Sequence, residues 1–262
     1  MDNRALVILG SGYTGRFLAP RAARQYPYVF VTSRSPEQHL PDVPAQQRIE
    51  FDLERSATWA HIPPAADLLW CFPATPLELV HQFAEAIKAP SRRIVLLGST
   101  SAYDVGDSHN YPPAWLDESA PIDRSKSRVQ GEEFLRTQCH AIVLRVAGIY
   151  GPGRNPLDWI KNGRVGPSRK YVNLIHVDDL VVTCLAALER GKPGETYNVS
   201  DGHPHTWEVI CSTAHERWNV PLRTESQADA SGKRINTHKL TTELGVRVQH
   251  FDLFTALEGL ER

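Results

Sequence analysis

The chain has 262 residues, 41% of them hydrophobic, and a formal net charge of −1. That length and apolar content suffice for one large α/β domain with a sizeable core, and the near-zero charge excludes a nucleic-acid-binding surface as its main business. No apolar run approaches the roughly 20 residues of a membrane span, and the first run is too short for a signal peptide, so no membrane partner is expected.

The chain begins with its most informative stretch. Ala5–Leu9 is a short apolar run that predicts a buried strand. Gly10-Ser11-Gly12-Tyr13-Thr14-Gly15 follows at once, and Arg16-Phe17-Leu18-Ala19 reads as the start of a helix. Strand, glycine turn and helix start are the parts of a dinucleotide-binding βαβ unit. Gly10 permits the tight turn, Gly12 lets a pyrophosphate approach the backbone, and Gly15 lets the helix pack on the sheet. The N–H groups at the helix start then face the anion. Tyr13 and Thr14 belong to the same cofactor-binding turn.

Tyr28–Thr32 predicts the second strand, being β-branched and aromatic. An NAD-binding unit usually places Asp or Glu at its end, to hold the ribose 2′-hydroxyl. This chain has Ser33 and Arg34 instead. A hydroxyl plus a guanidinium suits a 2′-phosphate, so NADP(H) is the expected cofactor, with NAD(H) as the alternative. Arg34 also reads as a solvated arginine with Glu37 as its partner. Gln47–Phe51 and Ala66–Phe72 predict the third and fourth strands. Their ends place Asp52 at the adenine and Phe72, Pro73 and Ala74 on the ribose side; each also reads as a cap or turn residue. Leu77–Ala89 predicts an amphipathic helix with Val80, Phe83, Ala84 and Ile87 on one face.

Arg93–Leu97 predicts the fifth strand. Gly98-Ser99-Thr100-Ser101-Ala102-Tyr103 follows, with hydroxyls able to donate to a substrate oxygen. After the polar turn Asp117–Pro121, Ser125–Gln138 predicts a helix, Ala141–Val146 the sixth strand and Val177–Glu189 a further helix. Alternating strands and helices imply a Rossmann-type doubly wound parallel sheet. Residues 1–150 are expected to form its dinucleotide-binding core. Residues 151–262 are expected to interleave the remaining core elements with a small C-terminal substrate lobe, the whole being one compact domain. Asn236–Leu244 and Phe251–Leu260 read as helices, the last with Phe254, Leu257 and Leu260 in the core. Cys71, Cys139, Cys184 and Cys211 are scattered without C-x-x-C spacing. Neither zinc site nor disulfide framework is indicated, and reduced thiols in a cytoplasmic protein are expected.

Several segments, in order, resemble the extended short-chain dehydrogenase/reductase superfamily in its NAD(P)-dependent epimerase/dehydratase branch. They are Gly10–Gly15, Leu97–Tyr103, Leu144–Gly153, Asn173–Leu180 and Tyr197–Ser200. Together they span most of the chain, and the Gly-Tyr-Thr-Gly variant and short length resemble compact, atypical members. The resemblance implies that Ser99 polarises the substrate oxygen, with Tyr103 and Tyr150 near the substrate. It also implies a catalytic Tyr-x-x-x-Lys upstream of Glu132-Glu133. Those two positions here are Arg124 and Arg128. Arg128 retains a hydrogen bond to offer the nicotinamide ribose, but Arg124 cannot replace a tyrosinate, because arginine does not give up its proton. Substitutes for the acid–base group are Tyr150, Asp117, Glu118 or His176, although His176 fits a structural turn better. Relatives that act on nucleotide sugars hold the diphosphate with arginines, which makes Arg154, Arg169 and Arg234 candidates. The resemblance therefore implies an oxidoreductase or epimerase acting on a small sugar-like or nucleotide-linked hydroxyl or ketone. The alternative is a catalytically impaired NADP(H)-binding protein that serves as a redox-sensing or interaction module. Relatives also leave monomer and homodimer both open.

Overall fold

In the computed structural model, which describes residues 4–87, 93–104, 110–221 and 232–261, the apolar run Ala5–Leu9 is strand β1 of a seven-stranded parallel sheet. The other strands are β2 (Tyr28–Ser33), β3 (Arg48–Glu50), β4 (Asp67–Trp70), β5 (Ile94–Ser99), β6 (Ile142–Val146) and β7 (Thr196–Val199). Their spatial order is β7-β6-β5-β4-β1-β2-β3. The chain runs outward from β1 through β2 to β3, returns to the other side of β1 as β4, and continues outward. The order reverses between β1 and β4, and in such sheets the ligand crevice opens at the C-terminal ends of that pair. The register sets Leu9 beside Trp70 and Ile8 beside Val31. Gly10, Cys71 and the end of β2 therefore lie at one level.

Burial explains why these strands read as unbroken apolar runs. Leu6–Leu9 and Leu68–Trp70 are fully buried, as expected of parallel strands covered on both faces. Helix α1 spans Tyr13–Ala22, α2 Leu77–Ala86, α3 Ser127–Gln138 and α4 Val177–Arg190. On α2, Val80, Phe83 and Ala84 are buried as the periodicity predicts, and Ile87 follows at its end. Lys88 and Ala89, the expected end of this helix, lie outside the described residues. Phe83 anchors the core edge-to-face against Trp59 and Trp70, with ring centroids 5.5 and 5.6 Å apart.

Some boundaries differ from the expectation for local reasons. Helix α1 starts at Tyr13 because the Gly12 backbone already serves as its cap. Helix α3 starts two residues later than expected, because Asp123 Oδ1 accepts the Ser125 N–H at 3.0 Å and holds a turn there. Only His238–Thr242 of the expected Asn236–Leu244 is helical. The last helix is Leu253–Leu260, capped by Asp252 accepting from Thr255 N–H at 2.7 Å. Its buried stripe is Leu253 and Leu257; Phe254 and Leu260 are half-buried rather than core, and the Phe254 ring rests on His205.

By its internal contacts the chain forms two units. One contains Met1–Ala102, Ile122–Arg145 and Leu180–Tyr197; the other contains Tyr103–Pro121, Val146–Asp179 and Asn198–Arg262. Tyr103–Pro121 thus falls in the second unit, inside the span the sequence assigns to the core. The second unit pairs Gly148–Tyr150 with Leu174–His176, Tyr171–Val172 with His205–Thr206, and Trp115–Leu116 with Arg234–Ile235. Its core gathers Tyr150, Leu157, Trp207, Ile210, Leu253 and Leu257. Among the described residues no helix is long and apolar enough to cross a membrane.

Candidate functional site

At the end of β1 the chain turns through Gly10, whose φ of +94° suits glycine. Its N–H donates to Thr32 Oγ1 at 2.9 Å, so the end of β2 pins the turn. A Cβ on Gly10 would stand 3.1 Å from the Phe72 ring, and one on Gly15 would stand 2.7 Å from the Gly10 carbonyl oxygen. Gly15 is therefore required by close approach to backbone, and Gly10 by its positive φ, with Phe72 tight against it. A Cβ on Gly12 would meet nothing within 4 Å. The space beside Gly12 is open, which is what a group approaching its backbone needs. Helix α1 begins there with no capping side chain and no acidic residue in its first turn. The positive end of the helix macrodipole is thus not offset locally.

Beside this turn lies a cavity of about 390 Å³, lined by Gly10, Ser11, Thr32, Ser33, Arg34, His39, Asp52, Phe72 and Thr75 among others. Arg34 is exposed, and among the described residues it makes no hydrogen bond or ion pair. Glu37, its expected partner, instead pairs with Arg48 at 2.9 Å. Ser33 is buried, and its hydroxyl bonds His39 Nδ1 at 2.8 Å and accepts the Ser35 N–H at 3.2 Å. Asp52 both lines the cavity and closes a turn, accepting the Glu54 N–H at 3.1 Å. Phe72 lines it from the β4 end, its ring tilted against the buried Trp70 with centroids 5.0 Å apart. Pro73 is exposed and Ala74 is buried, and neither lines the cavity; the Ala74 carbonyl packs on Gly131 of α3 instead. His39 and Thr75 are lining residues that the sequence reading missed. A histidine in a short helix and a threonine before a proline carry no local signal of their own.

At the end of β5 the hydroxyls are linked. Ser99 Oγ and Ser101 Oγ are 3.4 Å apart, and the Ser101 N–H donates to Ser99 Oγ at 3.2 Å. Arg128 Nη2 donates to Ser101 Oγ, and Lys126 Nζ donates to the Ser101 carbonyl at 2.9 Å. Arg124 is exposed and lies 3.6 Å from Glu133. Its side chain thus pairs from the surface with a buried carboxylate.

The other candidates belong to the second unit. Tyr103, expected at the substrate, is buried, with its hydroxyl donating to Asn198 Oδ1 at 2.6 Å. That bond commits the side chain to the interior of its unit. Tyr150 is buried with its hydroxyl unpartnered, and burial together with Asp201 and Asp179 pushes that hydroxyl far above its ordinary pKa. It holds its proton. Asp117 is exposed and held below the usual carboxylate range by hydrogen bonds from Ser119. Burial raises Glu118, which accepts the Asn198 N–H at 2.7 Å. His176 is buried, accepts the Asp178 N–H at 3.3 Å, and stacks on His250 with centroids 3.9 Å apart. His176, Asp178 and His250 offer ligand atoms within 4.8 Å of one another. The two rings tilt by only 24°, which keeps their lone pairs near parallel planes rather than aimed at one ion. Arg169 and Arg234 each lie over aromatic rings, and the Tyr111 and Tyr171 rings pack with centroids 5.7 Å apart. Arg169 lies 3.9 Å above the Tyr111 ring, while Arg234 lies 4.9 Å from Trp115 and 5.9 Å from Tyr171. Arg154 is exposed on the separate Gly151–Arg154 turn.

The strand order and the glycine turn define a Rossmann-type, doubly wound α/β fold. No family model matches the chain. It is 28% identical over 180 residues to Protein YeeZ of Escherichia coli strain K12, covering 61% of this chain and 59% of that protein. This match thus spans less than two thirds of the curated relative's length. Among solved structures, a functionally unknown conserved protein from Silicibacter pomeroyi is 26% identical with a TM-score of 0.76 over 98% of both chains. A short-chain dehydrogenase/reductase superfamily protein from Agrobacterium tumefaciens, with bound NAD, superposes with a TM-score of 0.79 at 14% identity, over 98% of this chain and 96% of that one. A variant of UDP-glucuronic acid 4-epimerase from Bacillus cereus, in complex with a fluorinated UDP-glucuronic acid and NAD, gives 0.76 at 15% identity, over 97% and 96%. The fold is thus that of the short-chain dehydrogenase/reductase and epimerase/dehydratase structures.

Proposed function

We propose that the chain is an NADP(H)-binding oxidoreductase or epimerase, acting on a small sugar-like hydroxyl or ketone that is nucleotide-linked in the manner of the Bacillus cereus epimerase's ligand. The observation that carries this reading is the cavity beside the Gly10–Gly15 turn, with an uncapped helix start on one side and an unpaired guanidinium on the other. The pyrophosphate would lie against Gly12 and the first turn of α1. Arg34 and Ser33, with His39 behind the serine, would hold a ribose 2′-phosphate through charge-assisted hydrogen bonds. Asp52 would meet the adenine and Phe72 the ribose. When bound, the nicotinamide supplies or accepts a hydride at the substrate carbon. Ser99 would hold the substrate oxygen, and Arg128 the nicotinamide ribose. Arg154, Arg169 and Arg234 would hold the substrate's anionic group, the last two with their planes fixed by aromatic rings. The free cysteines fit a cytoplasmic protein, acting as monomer or homodimer.

The test is a titration with NADPH and NADH, read by tryptophan fluorescence. Trp70 packs against Phe72 of the cavity wall and serves as the reporter. NADPH is expected to bind the more tightly. Arg34→Glu is expected to weaken NADPH by roughly 10- to 100-fold, the worth of a charge-assisted pair, and to leave NADH nearly unchanged. Binding of neither dinucleotide would overturn the reading. An unchanged NADPH/NADH ratio in the variant would overturn the role of Arg34. If NADPH binds but is never consumed with a panel of carbonyl compounds, the redox-sensing alternative takes its place.

A further inference from the structure

Gly98 and α3 hold a carboxyl group that the proposed chemistry does not use. Glu132 is only 4% exposed. Its carboxyl lies flat beneath β5. A Cβ on Gly98 would fall 2.9 Å from Oε2, 3.0 Å from Cδ and 3.1 Å from Oε1. Oε2 is buried with no hydrogen-bond partner among the described residues. A carboxylate in that condition needs a cation once it ionises.

The neighbouring charges show which cation is available. Glu133, the next residue on α3, engages Arg136 at 2.8 Å, with Arg145 of β6 and Arg124 at 3.6 Å. Arg145 acts on Glu132 as well, but less than Arg128 does, and it lies 3.6 Å from Glu133. Gly98 of β5 brings no charge. Arg128 stands one helical turn before Glu132, the spacing at which side chains on a helix meet. Its guanidinium rests on Ser101 Oγ, and Ser101 is in turn tied to Ser99.

We propose that Glu132 is a positioning residue for the hydroxyls at the end of β5, and that its ionisation draws Arg128 from the Ser101 hydroxyl to the Glu132 carboxylate. With the carboxyl protonated, Arg128 holds Ser101, and Ser101 orients Ser99. With it ionised, that hold is released. The exchange is a proton-controlled setting of the site within the neutral range, since burial pushes the Glu132 carboxyl up to about 7 against the opposing pull of Arg128 and Arg145, with Glu133 adding to the rise. The consequence for substrate rests on the reading of Ser99 above; the exchange itself does not.

The experiment is NMR of the full chain, labelled with 13Cδ-glutamate and 15N-arginine, from pH 5.5 to 8.5. One glutamate signal, absent from Glu132→Gln, is expected to titrate near pH 7. The Arg128 side-chain signal, identified by its loss in Arg128→Lys, is expected to move with the same midpoint and to stay still in Glu132→Gln. Arg128→Gln probes the pair without touching the buried carboxyl, and removal of the cation is expected to raise the Glu132 midpoint by about one pH unit. A Glu132 midpoint in the ordinary carboxylate range overturns the proposal. So does an Arg128 signal that ignores pH, or a midpoint indifferent to Arg128→Gln. Failure to bind NADPH would overturn the proposed function and leave these titrations standing.

Discussion

Two buried carboxyl groups make the stability of this chain depend on pH in an unusual direction. Glu132 and Asp201 are both pushed up to about 7, chiefly by burial. Asp201 accepts the His203 N–H at 2.9 Å, but that single bond does not offset its burial beside Asp179. A carboxyl raised in the folded state binds its proton more tightly than in the unfolded chain. Its contribution to stability is complete below the ordinary carboxylate range and is lost as pH rises to about 7. For Glu132, a displacement of this size is worth on the order of 3 kcal/mol. The carboxylates held low, Asp117, Asp123, Asp252 and Glu133, act below the ordinary range and outside this window; His205, held below its ordinary value chiefly by burial, acts inside it in the opposite sense and offsets only part of the two carboxyl groups' loss. Urea unfolding at pH 5 and pH 8 should therefore show a less stable protein at pH 8. Glu132→Gln and Asp201→Asn should each reduce that difference, and a wild-type protein that gains stability over the same window would contradict the argument.

At the scale of elements, two glycines fix how helices meet strands. A Cβ on Gly131 would stand 1.9 Å from the Ala74 carbonyl oxygen, and one on Gly15 would stand 2.7 Å from that of Gly10. Both obstacles are backbone, which cannot rotate away. Gly131→Ala should displace α3 from the segment after β4 and cost at least 1–3 kcal/mol, as forced overpacking does. Gly15→Ala should cost a similar amount and also impair dinucleotide binding, because the turn itself must move. Thermal melts and the NADPH titration separate the two effects. Gly15 was legible in the sequence because glycines three apart after an apolar run have one common explanation. Gly131 was not, because a lone glycine within a helix says nothing about what crosses it. The same contrast runs through the fold. Strands β1, β4 and β6 announced themselves as apolar runs, since burial on both faces leaves no polar alternation to confuse. Helix Trp207–Trp218 passed unread; its Thr206 cap and the left-handed Asn219 at its end are single-residue signals in a mixed stretch. The place of Arg34 and Asp52 beside the cavity was legible from their position after strands. The burial of Tyr103 was not legible, because its Asn198 partner lies 95 residues away and no local pattern reveals it.

The whole molecule couples these local features through chain connectivity. The cavity beside the glycine turn belongs entirely to one unit, yet neither unit is a continuous piece of chain. The chain passes between them after residues 102, 121, 145, 179 and 197. Helix α4 and strand β7 each contribute residues to both. Unfolding one unit would leave a helix and a strand of the other without their continuation, so a single cooperative transition is expected. A ligand that binds the folded chain stabilises it by about 2.7 kcal/mol at a hundredfold excess over its dissociation constant. In a chain of this size each kcal/mol moves the melting temperature by roughly 2–4 °C. Saturating NADPH should therefore raise the whole transition by roughly 5–10 °C in a calorimetric scan, and equimolar NADH should raise it less. In Arg34→Glu the two cofactors should converge. Two transitions, of which only one responds to NADPH, would show that the units unfold independently. A shift that is equal for both cofactors in the wild-type chain would show that Arg34 and Ser33 do not read the 2′-phosphate.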